Sequence, residues 1–126
     1  MIRALVLVAV LLPFVFYAGR DTVAHFRIRK PSWKENVIHL VLGVQQIALV
    51  IGAFKGSFAR MAVAGVGVAI AGAMDEWGFH HDLPAEESDL HAKSHFALFI
   101  FAMVAIAFAT FSSPSAMLDA ATGNAP

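Results

Sequence analysis

The 126-residue chain contains no cysteine. Disulfide bonds, zinc–thiolate sites, iron–sulfur clusters and thiol catalysis are therefore excluded, and the redox compartment cannot be inferred from cysteine usage. Charged residues are also scarce, at 14% of the chain, against about 25% in soluble proteins. Nine basic and nine acidic residues give a formal net charge of zero, so nothing in the overall charge favours binding to nucleic acid.

Apolar side chains, by contrast, make up 59% of the chain, and the mean hydropathy is +0.71. Four apolar runs are each near the length that a helix needs to cross about 30 Å of hydrocarbon. They are Ile2–Gly19, Val37–Phe54, Phe58–Met74 and Phe96–Phe111. The stretch Ala4–Ala18 has no polar face, unlike a helix on the surface of a soluble bundle. The sequence therefore predicts an all-α integral membrane protein, a four-transmembrane-helix antiparallel bundle that lies in a lipid bilayer.

Caps and helix breakers predict where these helices begin and end. Pro31 ends the first helix, and the following Ser32-Trp33-Lys34-Glu35 has the S-x-x-E pattern of a capping box. We expect one transmembrane domain over residues 1–112, with helices at about 2–28, 32–54, 57–78 and 84–111. The first run also resembles a signal peptide, but it is long enough to be a retained helix. Residues 113–126 are expected to form a flexible polar tail.

An acidic residue precedes a histidine by four positions at four places in the chain. The pairs are Asp21–His25, Glu35–His39, Glu76–His80 and Glu87–His91, and His91–His95 repeats the spacing. Residues i and i+4 lie on one face of a helix, so each pair can offer two ligand atoms to one metal ion. The pairs border apolar runs, where ionisable groups are costly and usually functional. This recurrence is the main indication of function in the sequence.

Topology brings the four pairs to one end of the bundle. The loops after the first and third helices lie on the same side of a membrane crossed four times, and every pair belongs to these loops or their flanks. Helix direction divides the residues into an inner layer of Asp21, His39, Glu76 and His95 and an outer layer of His25, Glu35, His80 and His91, with Glu87 beyond it. Most basic residues lie at the same end, so the positive-inside rule predicts a site on the cytoplasmic side. We expect the membrane to be a bacterial inner membrane.

Carboxylates and imidazoles without sulfur are ligands that suit iron, manganese, zinc or copper(II). Di-iron and di-manganese helical bundles use the same mixture of ligands. We therefore predict a metalloprotein with a dinuclear, iron-type centre, acting in redox or oxygen-related chemistry on a lipophilic substrate. The expected ligands are Glu35, His39, Glu76, His80, His91 and His95, and Asp21, His25 and Glu87 are either further ligands or acceptors that orient the imidazoles. No residue is assigned a catalytic role, and the substrate is not identified.

Two other functions are also consistent with the sequence. His39 and His95 lie at similar depth and could be the axial ligands of a b-type haem in an electron-transfer protein, although a haem does not need the accompanying carboxylates. Small residues on the third helix, at Gly65, Ala69 and Ala73, permit close packing against a second copy or a larger membrane complex. The chain could then be an accessory subunit. His81 is interpreted as a solvated loop residue.

One short motif resembles those of a known enzyme class. His91-Ala92-Lys93-Ser94-His95 resembles the H-x-x-x-H box of membrane fatty-acid desaturases and hydroxylases, and Phe79-His80-His81 is faintly similar to the end of their H-x-x-H-H boxes. A complete second or third box is absent from the sequence, and the chain is far smaller than those enzymes. The motif therefore does not assign the chain to that class.

Overall fold

A computed structural model of the chain describes residues 1–28 and 30–111. These residues form four helices, α1 (Ile2–Ile28), α2 (Trp33–Lys55), α3 (Phe58–Phe79) and α4 (Ala85–Phe111). Each helix is long and apolar enough to cross a membrane. The predicted fold class, an all-α four-helix bundle, is confirmed. The tail predicted at 113–126 lies outside the described residues.

The ends of α2 follow from its capping residues. The Ser32 hydroxyl accepts a hydrogen bond from the backbone N–H of Glu35 at 3.2 Å, and the backbone N–H of Ser32 donates to Glu35 Oε2, also at 3.2 Å. This reciprocal capping box starts the helix and holds one oxygen of the Glu35 carboxylate in place. Gly56 ends the helix with a φ of 68°, a left-handed conformation that glycine adopts without a Cβ clash. The chain then turns directly into α3.

The four helices associate as two pairs. α1 packs along α4 and α2 packs along α3, whereas contacts between the two pairs are sparse. A single apolar core, with side chains such as Leu7, Leu49, Met61 and Phe101, joins all four helices in the half of the bundle that lies away from the histidines. The other half is left free to hold polar side chains between the two pairs.

Large apolar side chains also cover the outside of the bundle, among them Leu5, Leu12, Val63 and Phe99. An exposed apolar surface of this extent marks contact with a membrane rather than with water. α1 continues as a helix to Ile28, beyond the end of its apolar run at Gly19.

Candidate metal centre

The buried polar side chains of the described residues lie at one end of the bundle, near the loops after α1 and α3. They are His25, Glu35, Asp75, His80, Glu87 and Ser94. A buried charge without a partner is costly, and ionisable groups at membrane depth normally pair with one another or with an ion. The three carboxylates and two imidazoles buried in this place must therefore pair closely with one another or with an ion.

Several of the acid–histidine contacts join different helices. His25 of α1 lies with its Nε2 atom 2.8 Å from Oε1 of Glu35 on α2, and its Nδ1 atom contacts Glu87 of α4. His91 of α4 contacts Asp21 of α1 through its Nδ1 atom, at 3.0 Å from Oδ2. In these contacts the acid and the histidine come from different i, i+4 pairs, and the contact is made across the bundle.

Four side chains of the cluster form a compact group of potential ligands, which we call the first donor group. His25, Glu35, His39 and His80 each offer one nitrogen or oxygen atom, and the four atoms all lie within 4.8 Å of one another. His25 comes from α1, Glu35 and His39 come from α2, and His80 directly follows α3. Four nitrogen and oxygen donors at this spacing suit tetrahedral metal coordination.

A second donor group shares one residue with the first. Asp75, His80 and His91 also offer ligand atoms that lie within 4.8 Å of one another. The Nδ1 atom of His80 is 3.3 Å from Oδ2 of Asp75 and 3.2 Å from Nε2 of His91. The Nε2 atom of His80 faces the other way and lies 3.5 Å from Oε1 of Glu35. His80 therefore stands between the two groups.

Asp75 is the site residue that the sequence reasoning missed. The i, i+4 pattern selected its neighbour Glu76, which precedes His80 by four positions. Asp75 is only 1% exposed, and its Oδ1 atom lies 3.2 Å from Nε2 of His39. The Glu76 side chain is 52% exposed and reaches the site only through His91, 3.5 Å away. Asp75 lies on the same face of α3 as the buried Met61, but the sequence does not show that this face is buried, so no signal in the sequence favoured Asp75 over Glu76.

Asp21 and Glu87 contact histidines on the side that faces away from the donor groups. Each carboxylate approaches the Nδ1 atom of its histidine, Asp21 on His91 and Glu87 on His25. A carboxylate that accepts a hydrogen bond from Nδ1–H fixes the ring orientation and leaves Nε2 available to bind a metal. Of the two roles expected for these acids, the geometry matches the orienting one.

The remaining two histidines lie outside both donor groups. The ring of His95 is 4.2 Å from the ring of His91, so His95 lies at the edge of the cluster. The His81 side chain is 67% exposed and pairs with the more exposed Asp82. Its position in solvent agrees with the interpretation drawn from the sequence.

Several buried ligand atoms of the cluster, among them His25 Nε2, Asp75 Oδ1 and His80 Nε2, have other ligand atoms as neighbours at 2.8–3.5 Å but no hydrogen bond of good geometry in the described part of the chain. Buried polar atoms in proteins are normally satisfied, and an ion bound between these atoms would satisfy them. Burial also lowers the pKa of His80, an effect that the nearby Asp75 carboxylate partly opposes. His80 is consequently neutral near pH 7, which is the form that binds metals.

A cavity of about 400 Å³ lies beside the cluster, between the two helix pairs. Its lining includes His25, His39, Asp75, His91 and His95. The donor atoms thus face open space between the helices rather than close packing. Four apolar helices that enclose buried histidines and carboxylates around such a space are compatible with a metal site in a membrane.

Comparisons with protein-family models, with curated proteins and with solved structures find no match to this chain.

Proposed function

We propose that this protein is a membrane-embedded metalloprotein with a dinuclear centre that acts in oxidoreduction. The observation that carries the proposal is the pair of donor groups that share His80. Each group gathers its ligand atoms within 4.8 Å, and together they draw on α1, α2, α3 and α4. Random surface pairing does not concentrate ligands from every helix of a bundle at one buried point.

Asp75 is the carboxylate best placed to bridge two ions. One of its oxygens lies 3.2 Å from His39, a member of the first donor group, and the other lies 3.3 Å from His80, which belongs to both groups. Two-metal sites hold their ions about 3.5–4 Å apart, a separation that one carboxylate can span. The Oε1 atom of Glu35 faces His25 and His80, whereas its Oε2 atom accepts the capping hydrogen bond from Ser32. Glu35 is therefore a terminal ligand in this proposal.

Charge balance also supports two divalent ions. Their four positive charges would be matched by the four carboxylates of the site, Asp21, Glu35, Asp75 and Glu87. A neutral centre is the arrangement that costs least at the edge of hydrocarbon. Ligands of nitrogen and oxygen without sulfur suit iron, and bound iron would supply redox chemistry to this site.

Elemental analysis of detergent-purified protein, combined with an absorption spectrum, tests the proposal. We expect two iron ions per chain and a spectrum without a Soret band. A Soret band would instead support the haem alternative, with His39 and His95 as axial ligands. Protein that binds no transition metal after expression in iron-supplied medium would contradict both metal-based functions.

The capping box connects the start of α2 to the metal centre, and its loss is expected to weaken metal binding. Ser32→Ala removes the hydroxyl that accepts the Glu35 N–H and loosens the reciprocal bond that holds Glu35 Oε2. Loss of a serine cap costs about 1 kcal/mol of stability. We expect a lower thermal unfolding midpoint in detergent, together with a weaker affinity for added Fe²⁺.

Ser57→Ala is the matched control for this variant. Ser57 caps α3 through the backbone N–H of Arg60, at the end of the bundle away from the site. Its loss is expected to lower the unfolding midpoint similarly and to leave the iron affinity unchanged. Equal losses of iron affinity in the two variants would show that the effect of Ser32→Ala comes from stability alone.

A further inference from the structure

A second cavity, of about 560 Å³, forms a groove between α3 and α4 with one side contributed by α2. Its α3 wall carries Gly65, Ala69 and Gly72, which share one face of the helix. A Cβ atom added at Gly65 would meet no neighbouring side chain or helix within 4 Å, and one at Gly72 would touch Leu42. The small residues therefore open a space between α3 and α4, two helices that make few contacts with each other.

The groove is long, narrow and polar at one end. Along α3 it extends from Glu76 to Met61, a length of about 22 Å at 1.5 Å per residue. Its walls are mostly apolar, with Leu98 and Ile106 among the residues of α4. Its volume lies within the range of about 300–1,000 Å³ that is typical of small-molecule sites. This shape suits one hydrocarbon chain with a small polar head group better than a broad ring system.

The polar end of the groove meets the proposed metal centre. His80, His91 and His95 line both the groove and the central cavity. His80 is 4% exposed, and its Nε2 atom lacks a hydrogen bond within the described residues. A chain lying along α3 and α4 would thus place its head group beside the donor groups.

Charge indicates which head group fits there. The four carboxylates of the centre would balance two divalent ions, whereas Glu76 adds a further negative charge where it lines the groove. A second carboxylate beside Glu76 would be repelled. A hydroxyl group can instead donate a hydrogen bond to the Glu76 carboxylate.

We infer that the groove between α3 and α4 binds a long-chain alcohol, straight-chain or isoprenoid, with its hydroxyl beside Glu76 and His91 and its chain along Gly65 and Ala69. This inference rests on the proposed function, because the charge balance assumes two bound divalent ions. It identifies the substrate class of the centre as an uncharged single-chain lipid.

Photolabelling of the full chain in phosphatidylcholine nanodiscs tests the inference. The probe is hexadecanol with a diazirine at mid-chain, and mass spectrometry locates the labelled residues. We expect labels within 65–72 and 98–106 that excess hexadecanol or farnesol removes, whichever of the two alcohol types the groove prefers. Hexadecanoic acid should compete at least about tenfold less well, because of the repulsion from Glu76. Equal competition by the acid, or labels spread over the lipid-facing surface, would overturn the inference.

Two α3 variants complete the experiment. Gly65→Leu places a side chain in the open groove, where a Cβ meets nothing within 4 Å, and should abolish the specific label. Ala62→Leu, at an exposed position of α3 that does not line the groove, should retain it. Iron is measured in the same samples. Specific labelling without iron would contradict the dinuclear centre alone, whereas two iron ions without specific labelling would contradict the groove assignment alone.

Discussion

His80→Ala is expected to abolish binding of both metal ions. His80 lies between the two donor groups, with Nδ1 toward Asp75 and His91 and Nε2 toward Glu35. A neutral imidazole has one free nitrogen lone pair and binds one ion directly. Its removal therefore takes a ligand from one ion and a neighbour from Asp75, the carboxylate proposed to bridge to the other ion. The loss of affinity should exceed about 100-fold, the upper end of the effect of mutating a residue that only orients a ligand. Elemental analysis after gel filtration in detergent measures the result.

His81→Ala is the matched control, because it makes the same chemical change one residue away. The His81 side chain is 67% exposed and contacts Asp82, so its removal should leave two iron ions per chain and an unchanged gel-filtration profile. Full metal content in His80→Ala would contradict the assignment of His80 to the metal centre. A loss of metal in both variants would indicate that the loop after α3, rather than the His80 imidazole, is what the site requires.

Asp75→Asn is expected to convert the dinuclear centre into one that holds a single ion. The substitution keeps the shape of the side chain but removes its negative charge and one of its two metal-binding oxygens. The bridge between the two groups is then lost, while His25, Glu35, His39 and His80 can still hold one ion. We expect the iron content to fall by half, and electron paramagnetic resonance of the oxidised protein to show an isolated ferric ion.

Glu76→Gln makes the same change of charge at the adjacent position. The Glu76 side chain is 52% exposed, and its contact with the cluster is to His91, at 3.5 Å. This variant should therefore keep both ions. If Glu76→Gln lost an ion and Asp75→Asn kept both, the bridging carboxylate would be Glu76. That outcome would favour the sequence pattern over the geometry of α3.

The fold was predictable because its signals are local. Four apolar runs of membrane-spanning length define the helices, and Pro31 and the capping box of Ser32 and Glu35 separate the first two. Convergence of the histidines at one end was predictable as well, since alternating helix directions bring two loops to the same side. Neither inference requires knowledge of how the helices rotate about their axes.

The ligand set depends on that rotation, which the sequence of α3 does not specify. Adjacent residues of a helix point about 100° apart, so Asp75 and Glu76 cannot both face the interior. The apolar part of α3 has hydrophobic residues on every side, and no polar face indicates which side is buried. The sequence also does not show which helices pack against each other. Contact between His25 and Glu87 requires α1 to lie beside α4, and loop lengths do not determine that arrangement.

The pairing of α1 with α4 also has a consequence for the order in which the protein is made. α2 and α3 follow each other through a short turn and can pair as soon as both have entered the membrane. α1 is synthesised first but has its main contacts with the last helix, so His25 is held beside Glu35 only after α4 has been inserted. A chain that stops early, or whose last helix fails to enter, has no complete set of donors. Uptake of the metal would therefore mark the completion of membrane insertion.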